Sequence, residues 1–262
     1  MGVSLESILE RTRAGLPGLR ARRPALELAV GSAPPGVPFR SALQQARLGI
    51  IAEVKRRSPS AGAIAPDLDP VERARDYAAG GAAAVSVLTE GPHFGGSLDD
   101  LRRVAAALPL PVLRKDFILD EVQLLEARAA GASAALLIVR ALGAGRLGEL
   151  IAFARGIELA VLVEIHDRVE LGMALDAGAD TLGVNSRDLS SFRIDRAAAW
   201  RLLGDVPAGS VAVAESGMAT RQDVEEAARS GADAVLIGSA LSASSDPRGL
   251  LQEIVEVPRY GR

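Results

Sequence analysis

The sequence predicts an α/β chain folded as a single parallel (β/α)8 TIM barrel with an N-terminal helical extension, and three observations carry that reading. Eight short apolar runs, at 48–55, 83–88, 111–115, 133–138, 159–164, 180–185, 211–215 and 234–238, alternate with helix-forming segments. Such alternation builds a parallel sheet. A junction recurs four times: Gly-Gly-Ala-Ala-Ala-Val (80–85), Ala-Gly-Ala-Ser-Ala-Ala (130–135), Ala-Gly-Ala-Asp-Thr-Leu (177–182) and Ser-Gly-Ala-Asp-Ala-Val (230–235). Its glycines, 81, 131, 178 and 231, are 50, 47 and 53 residues apart. Each interval holds two β/α units, and glycine is the favoured residue just past a helix end. The third observation is length: 262 residues is normal for one barrel. No Gly-x-Gly-x-x-Gly follows an early strand, which argues against an open dinucleotide-binding sheet.

Residues 1–47 precede the barrel, which occupies 48–262. Leu5, Ile8 and Leu9 recur at helical spacing behind Ser4, a suitable N-cap. A second helical run is expected after Pro17, and Ala33-Pro-Pro-Gly-Val-Pro38 reads as a stiff connector. This preface is too short to build a core alone, so it is expected to cap the barrel's bottom or cover part of its mouth. Within the barrel, helix starts are expected at Asp69-Pro-Val-Glu72, Asp120-Glu-Val-Gln123, Asp167-Arg-Val-Glu170 and Asp246-Pro247.

Composition narrows the function. The chain is 48% hydrophobic and 3% aromatic, so its core is aliphatic. A net charge of −3 gives no general attraction to nucleic acid or acidic membranes. With no cysteine there is no disulfide, thiolate metal site or cysteine nucleophile. His93 and His166 lack a second ligand at metal spacing. No signal peptide and no run of membrane-spanning length is read, so the expected compartment is the cytoplasm. Of 30 basic residues only two, Lys55 and Lys115, are lysines. Both end predicted strands, and lysine, unlike arginine, gives up a proton when its surroundings shift it.

Catalytic groups in such barrels stand at the C-terminal ends of the strands and on the loops that follow. Strand one offers Glu53 and Lys55, which share the parity of Gly49 and Ile51 and so face one side. Strand three offers Lys115, strand five Glu164, strand six Asn185 (the single asparagine), strand seven Glu215 with Ser216 and Gly217, and strand eight Gly238 and Ser239. Six acid–base or polar strand ends on one rim point to a site. The glycine–serine turns after strands seven and eight suit a phosphate. Residues 56–70 are long for a βα loop, usually about 2–6 residues, and their small side chains suggest a gating lid. Phe94 and Phe117 fall on rim loops, where an aromatic ligand part would give them a role.

These motifs, in order over about 48–240, resemble indole-3-glycerol phosphate synthase: Glu-Val-Lys-Arg-Arg-Ser-Pro-Ser (53–60), Ser-Val-Leu-Thr-Glu (86–90), Phe-Gly-Gly-Ser (94–97), Leu-Arg-Lys-Asp-Phe (113–117), Leu-Val-Glu-Ile-His (162–166), Gly-Val-Asn-Ser-Arg-Asp-Leu (183–189) and Ala-Glu-Ser-Gly-Met (214–218). The resemblance implies a tryptophan-pathway carboxy-lyase that closes 1-(2-carboxyphenylamino)-1-deoxyribulose 5-phosphate to indole-3-glycerol phosphate, releasing carbon dioxide and water. It implies that Lys115 protonates the ketone, that Glu164 and Lys55 do acid–base work, and that Lys55 and Asn185 hold the substrate carboxylate. Glu53 and Glu215 would orient the lysines. Ser216, Gly217, Gly238 and Ser239 would hold the phosphate, and Phe94, Phe117 and Leu189 the aromatic ring, with Ser58 and Arg187 among the substrate contacts. No cofactor or metal is implied. The expected partner is the phosphorylated small molecule, with no nucleic acid or membrane, and with the chain a monomer or weak homo-oligomer open to contact with neighbouring pathway enzymes. The chain departs from many relatives in carrying Ser186 where a second asparagine is common, and arginines where the N-terminal helix usually has lysines. The alternatives are a sugar-phosphate isomerase, a Schiff-base aldolase working through a lysine, and a non-catalytic binding barrel.

Overall fold

The computed structural model describes residues 4–189 and 191–262. Eight parallel strands close a barrel: β1 Gly49–Val54, β2 Ala84–Leu88, β3 Val112–Lys115, β4 Ala134–Ile138, β5 Ala160–Ile165, β6 Thr181–Asn185, β7 Val211–Glu215 and β8 Ala234–Ile237. Each pairs with the next, and β1 pairs with β8. Every strand lies within one residue of its expected bounds. The period-2 pleat divides their side chains between two cores. Ile51, Leu113, Leu162, Val213 and Leu236 fill the barrel, while Ile50, Val85, Val163 and Val235 pack outward on the helices.

Local chemistry sets the helix ends. Asp69 accepts from the backbone N–H of Val71 and Glu72 ahead of α4 (Pro70–Ala79), and Asp120 with Gln123 closes a capping box on α6 (Glu121–Ala129). Asp167 caps α8 (Arg168–Asp176) alone, because the Glu170 carboxylate expected to complete the box turns instead to His166. Asp246 caps the last helix, Pro247–Ile254. The four repeat glycines all adopt positive φ, between 83° and 103°, a conformation strained for any side chain.

The N-terminal segment covers both ends of the barrel. Helix α1 (Leu5–Arg20) continues through Pro17, and α2 starts only at Arg23 and runs to Ser32, so the expected break after Pro17 is wrong. Pro17 lies on the exposed face of α1, where the carbonyl its ring leaves unpaired meets water. Ile8 and Leu9 of α1 join the cluster that contains Phe94 and Phe117 at the mouth. At the opposite end Phe39 and Leu43 of α3 (Phe39–Leu43) plug the bottom. The N-terminal arginines pair with α6 and the residue that caps it: Arg20 with Asp120 at 2.6 Å, Arg22 with Glu126 at 3.4 Å and Arg23 with Glu121 at 3.0 Å.

The long segment after β1 is an ordered hairpin, Arg57–Ser58 pairing antiparallel with Gly62–Ala63. Arg56 pins its base. The guanidinium donates to Asp100 at 2.6 and 3.1 Å and to the carbonyls of Gly95 and Leu68, while its own carbonyl accepts from Ile64 and Ala65.

Candidate active site

The C-terminal ends of the strands surround a cavity of about 490 Å³. Its lining includes every residue expected at the site: Glu53, Lys55, Ser58, Phe94, Lys115, Phe117, Glu164, Asn185, Arg187, Leu189, Glu215, Ser216, Gly217, Gly238 and Ser239. No described residue before Glu53 lines it, so the N-terminal arginines make no contact there.

Two lysine centres stand on its floor. Lys55 Nζ lies 2.6 Å from Glu53 Oε1. Gly238 makes room for this pair: a methyl on it would sit 2.3 Å from Glu53 Oε1 and 2.7 Å from Lys55 Nζ. Lys115 Nζ lies between two buried carboxylates, 3.1 Å from Glu164 Oε2 and 3.2 Å from Glu215 Oε2. Gly183 on β6 plays the matching part for Glu215, whose Oε1 would lie 2.0 Å from an added methyl. The neighbour of Lys115 on the strand, Arg114, points outward to Asp116 at 3.0 Å and Glu126 at 3.1 Å.

The electrostatics follow from burial and from these pairings. Burial opposes the charge on Lys115, but Glu215, Glu164 and Glu53 outweigh it and hold its pKa above the ordinary lysine value. Burial opposes the charge on Glu164 too, and there Lys115, with His166 and Asn185, pulls the pKa below the usual carboxylate range. Glu215 goes the other way. Burial dominates, Lys115 offsets only part of it, Glu164 adds repulsion, and the group is pushed up to about 7. Two carboxylates on one ammonium thus differ in proton affinity, the arrangement that separates acid from base.

The polar and apolar walls are distinct. Arg187 donates to Ser60 Oγ at 3.3 Å and to the Phe192 carbonyl at 3.1 Å, and pairs with no carboxylate among the described residues. Its side chain lines the cavity. Asn185 Oδ1 accepts from the Arg187 N–H at 3.0 Å. After β7, Ser216 and Gly217 both take positive φ, 65° and 75°, and Ser216 is one of three non-glycine residues to do so among those described. Backbone strain of this kind gathers at ligand sites. Phe94 and Phe117 pair with ring centroids 6.2 Å apart and line one apolar wall with Leu189. Ser186, at the family's departure, is buried with its Oγ unpartnered.

Sequence reading missed several members of the wall. Leu136, Ile138 and Leu236 line the cavity but read as ordinary strand interior. Phe192 and Ile194 lie in a loop with no strand-end signal. His166, read only as lacking a second metal ligand, shares the pleat face of Glu164 by the same parity that joins Glu53 to Lys55, and lies behind the wall rather than on it. No group of three or more His, Asp or Glu able to hold a metal is found among the described residues.

The model of the indole-3-glycerol phosphate synthase family matches residues 5–254. The chain belongs to this family. It is 49% identical over 237 residues to indole-3-glycerol phosphate synthase 2 of Streptomyces coelicolor, covering 90% of this chain and 92% of that one. It is 45% identical over 253 residues to the Mycobacterium ulcerans indole-3-glycerol phosphate synthase, covering 96% and 93%. Among solved structures, a 3-hexulose-6-phosphate synthase superposes with a TM-score of 0.65 at 14% identity, covering 79% of this chain and 98% of that one. The thiamine phosphate pyrophosphorylase of Pyrococcus furiosus gives 0.61 at 19%, covering 82% and 95%. These structural likenesses show the barrel fold alone. The family match disfavours the isomerase and aldolase alternatives.

Proposed function

We propose that this chain makes indole-3-glycerol phosphate by the route its rim is built for, acting as a carbon–carbon lyase of the carboxy-lyase kind. The observation that carries the reading is Lys115 Nζ, set between Glu164 and Glu215 on the cavity floor of a family member. The substrate, 1-(2-carboxyphenylamino)-1-deoxyribulose 5-phosphate, offers an anthranilate ring, a ketone and two anions. Ser216, Gly217, Gly238 and Ser239 hold the phosphate. Phe94, Phe117 and Leu189 hold the ring, and Lys55, Asn185 and Arg187 hold its carboxylate, with Ser58 closing from the hairpin. The ring carbon bearing the carboxylate then faces the ketone above Lys115.

The chemistry is proton management. The ketone is a poor electrophile until it gains a proton, and Lys115 supplies it as the ring carbon attacks. Carbon dioxide leaves and the ring regains aromaticity. The new hydroxyl then departs as water, with Glu164 and Lys55 dividing proton delivery and removal. Glu53 orients Lys55, and Glu215 orients Lys115. Every transfer is assigned to a side chain of one chain, so a monomer or a weak homo-oligomer both suffice. The N-terminal helices pack on the barrel, and we read the whole chain as one domain. We also place the enzyme in the cytoplasm, since a doubly anionic substrate does not cross a membrane unaided; no helix among the described residues is long and apolar enough to span one.

The test is turnover of the carboxyphenylamino substrate followed by indole fluorescence. Robust turnover is expected. With borohydride present, no adduct should form on Lys55 or Lys115. Absence of turnover, or a borohydride-trapped lysine, would return the chain to the binding or aldolase readings.

A further inference from the structure

Two buried polar atoms behind the floor of the cavity, Glu164 Oε1 and His166 Nε2, have no hydrogen-bond partner among the described residues. They face each other at 3.6 Å. An unpartnered buried polar atom is costly, and a pair of them aimed together asks for an explanation. The far side of the imidazole is fixed. Glu170 Oε2 accepts from the His166 backbone N–H at 2.8 Å and meets Nδ1 at 3.1 Å. Arg140 holds the other oxygen of Glu170 at 2.9 Å and reaches Asp188 at 2.9 Å. These are the charged groups around the ring: Glu164 on its own strand, Glu170 on α8, and Arg140 on α7 (Val139–Gly156), with Lys115 across the other oxygen of Glu164.

That geometry fixes the tautomer. Glu170 is ionised and accepts only, so Nδ1 carries the hydrogen. Nε2 then presents either a lone pair or an N–H to Glu164 Oε1. A lone pair facing a carboxylate oxygen repels it, so a proton on nitrogen or on oxygen is favoured at this separation, which is longer than a hydrogen bond.

We propose that Glu164 and His166 exchange a single proton when they close from their 3.6 Å separation, and that His166 is the positioning residue that returns a proton to Glu164 between its turns as base and acid. The transfer balances without another reactant. The imidazolium gives its Nε2 proton to Oε1, leaving a neutral ring still bound through Nδ1–H to Glu170, and takes it back when Glu164 next releases one. The inference rests on the reading of Glu164 as an acid–base group.

The test uses the full chain and its two histidines, His93 and His166. Imidazole nitrogen NMR on ¹⁵N-labelled protein, with His93→Gln to assign the signals, reads the His166 tautomer and titration. Wild type should show Nδ1–H in the neutral form. In Glu164→Gln the His166 midpoint should fall by about one pH unit or more, since an opposite charge at this distance is removed. His166→Asn should lower kcat about tenfold or more while KM changes little, and should change the shape of the kcat–pH profile. If it does not fold, Glu170→Gln carries the kinetic arm with the imidazole in place, and the same loss is expected. A His166 midpoint unmoved by Glu164→Gln, or a wild-type pH profile in the kinetic variant, overturns the proposal. A chain with no turnover at all would sink the proposed function instead, and the NMR arm reads the pair without it.

Discussion

At the scale of single residues, the site was legible wherever a charge interrupts an apolar strand. Glu53 and Lys55 share a pleat face by parity alone, and the pair forms at 2.6 Å. The scarcity of lysine marked Lys55 and Lys115 because arginine serves elsewhere. The sequence could not show which carboxylates each lysine meets, since those partners come from strands far along the chain. It also hid the second role of Gly238. That glycine reads as a phosphate turn, yet its missing side chain is what admits the Glu53–Lys55 pair. Gly238→Ala should therefore displace the pair as well as crowd the phosphate. Overpacking of this kind costs about 1–3 kcal/mol, and a misplaced reacting group costs about 100-fold in rate. Thermal melting and steady-state kinetics on the variant check both, and wild-type kcat would show that the pair tolerates the methyl.

Among elements, strands and caps were readable because their signals are local. Aspartate before a helix, glycine after one and an apolar run between them need no distant partner. The N-terminal break was misplaced because α1 runs through Pro17, whose ring and the carbonyl it leaves unpaired sit on the exposed side of the helix. The hairpin of residues 57–63 was visible only as excess length, since Arg56 reaches forward to Asp100 on α5 (Leu98–Ala107) to pin it. Its tip places Ser58, Pro59 and Ser60 over the cavity, which supports the proposed gating role. Replacing residues 57–63 with a tight turn that leaves Arg56 in place should reduce kcat and raise KM while melting behaviour stays near wild type. Unaltered kinetics in that variant would remove the lid.

For the whole molecule, the barrel gathers buried charges that cost stability, and the proposed function gives them chemistry to do. Glu215 shows this most directly, with a pKa pushed up to about 7 by burial from an ordinary 4.5. A carboxyl raised in the folded state contributes stability that is fully present below 4.5 and lost as pH rises through about 7. Glu215→Gln does not titrate, so its melting temperature relative to wild type should climb across that window while turnover collapses. A constant difference from pH 5 to 8 would mean that Glu215 is not held up by its burial. The central claim, however, is that Lys115 donates the proton that starts ring closure. Single-turnover kinetics of Lys115→Arg with the carboxyphenylamino substrate tests it most directly. Guanidinium keeps the positive charge but stays protonated, and its planar fork does not fit the place of a compact ammonium between Glu164 and Glu215. General acid catalysis is worth about 10²–10⁴ in rate, so kcat should fall by that much while substrate still binds and the circular dichroism spectrum is unchanged. The same swap at Lys55 should be milder, because carboxylate binding survives it. A Lys115→Arg enzyme with near-normal kcat would contradict the account and pass the donor's role to Lys55 or Glu164.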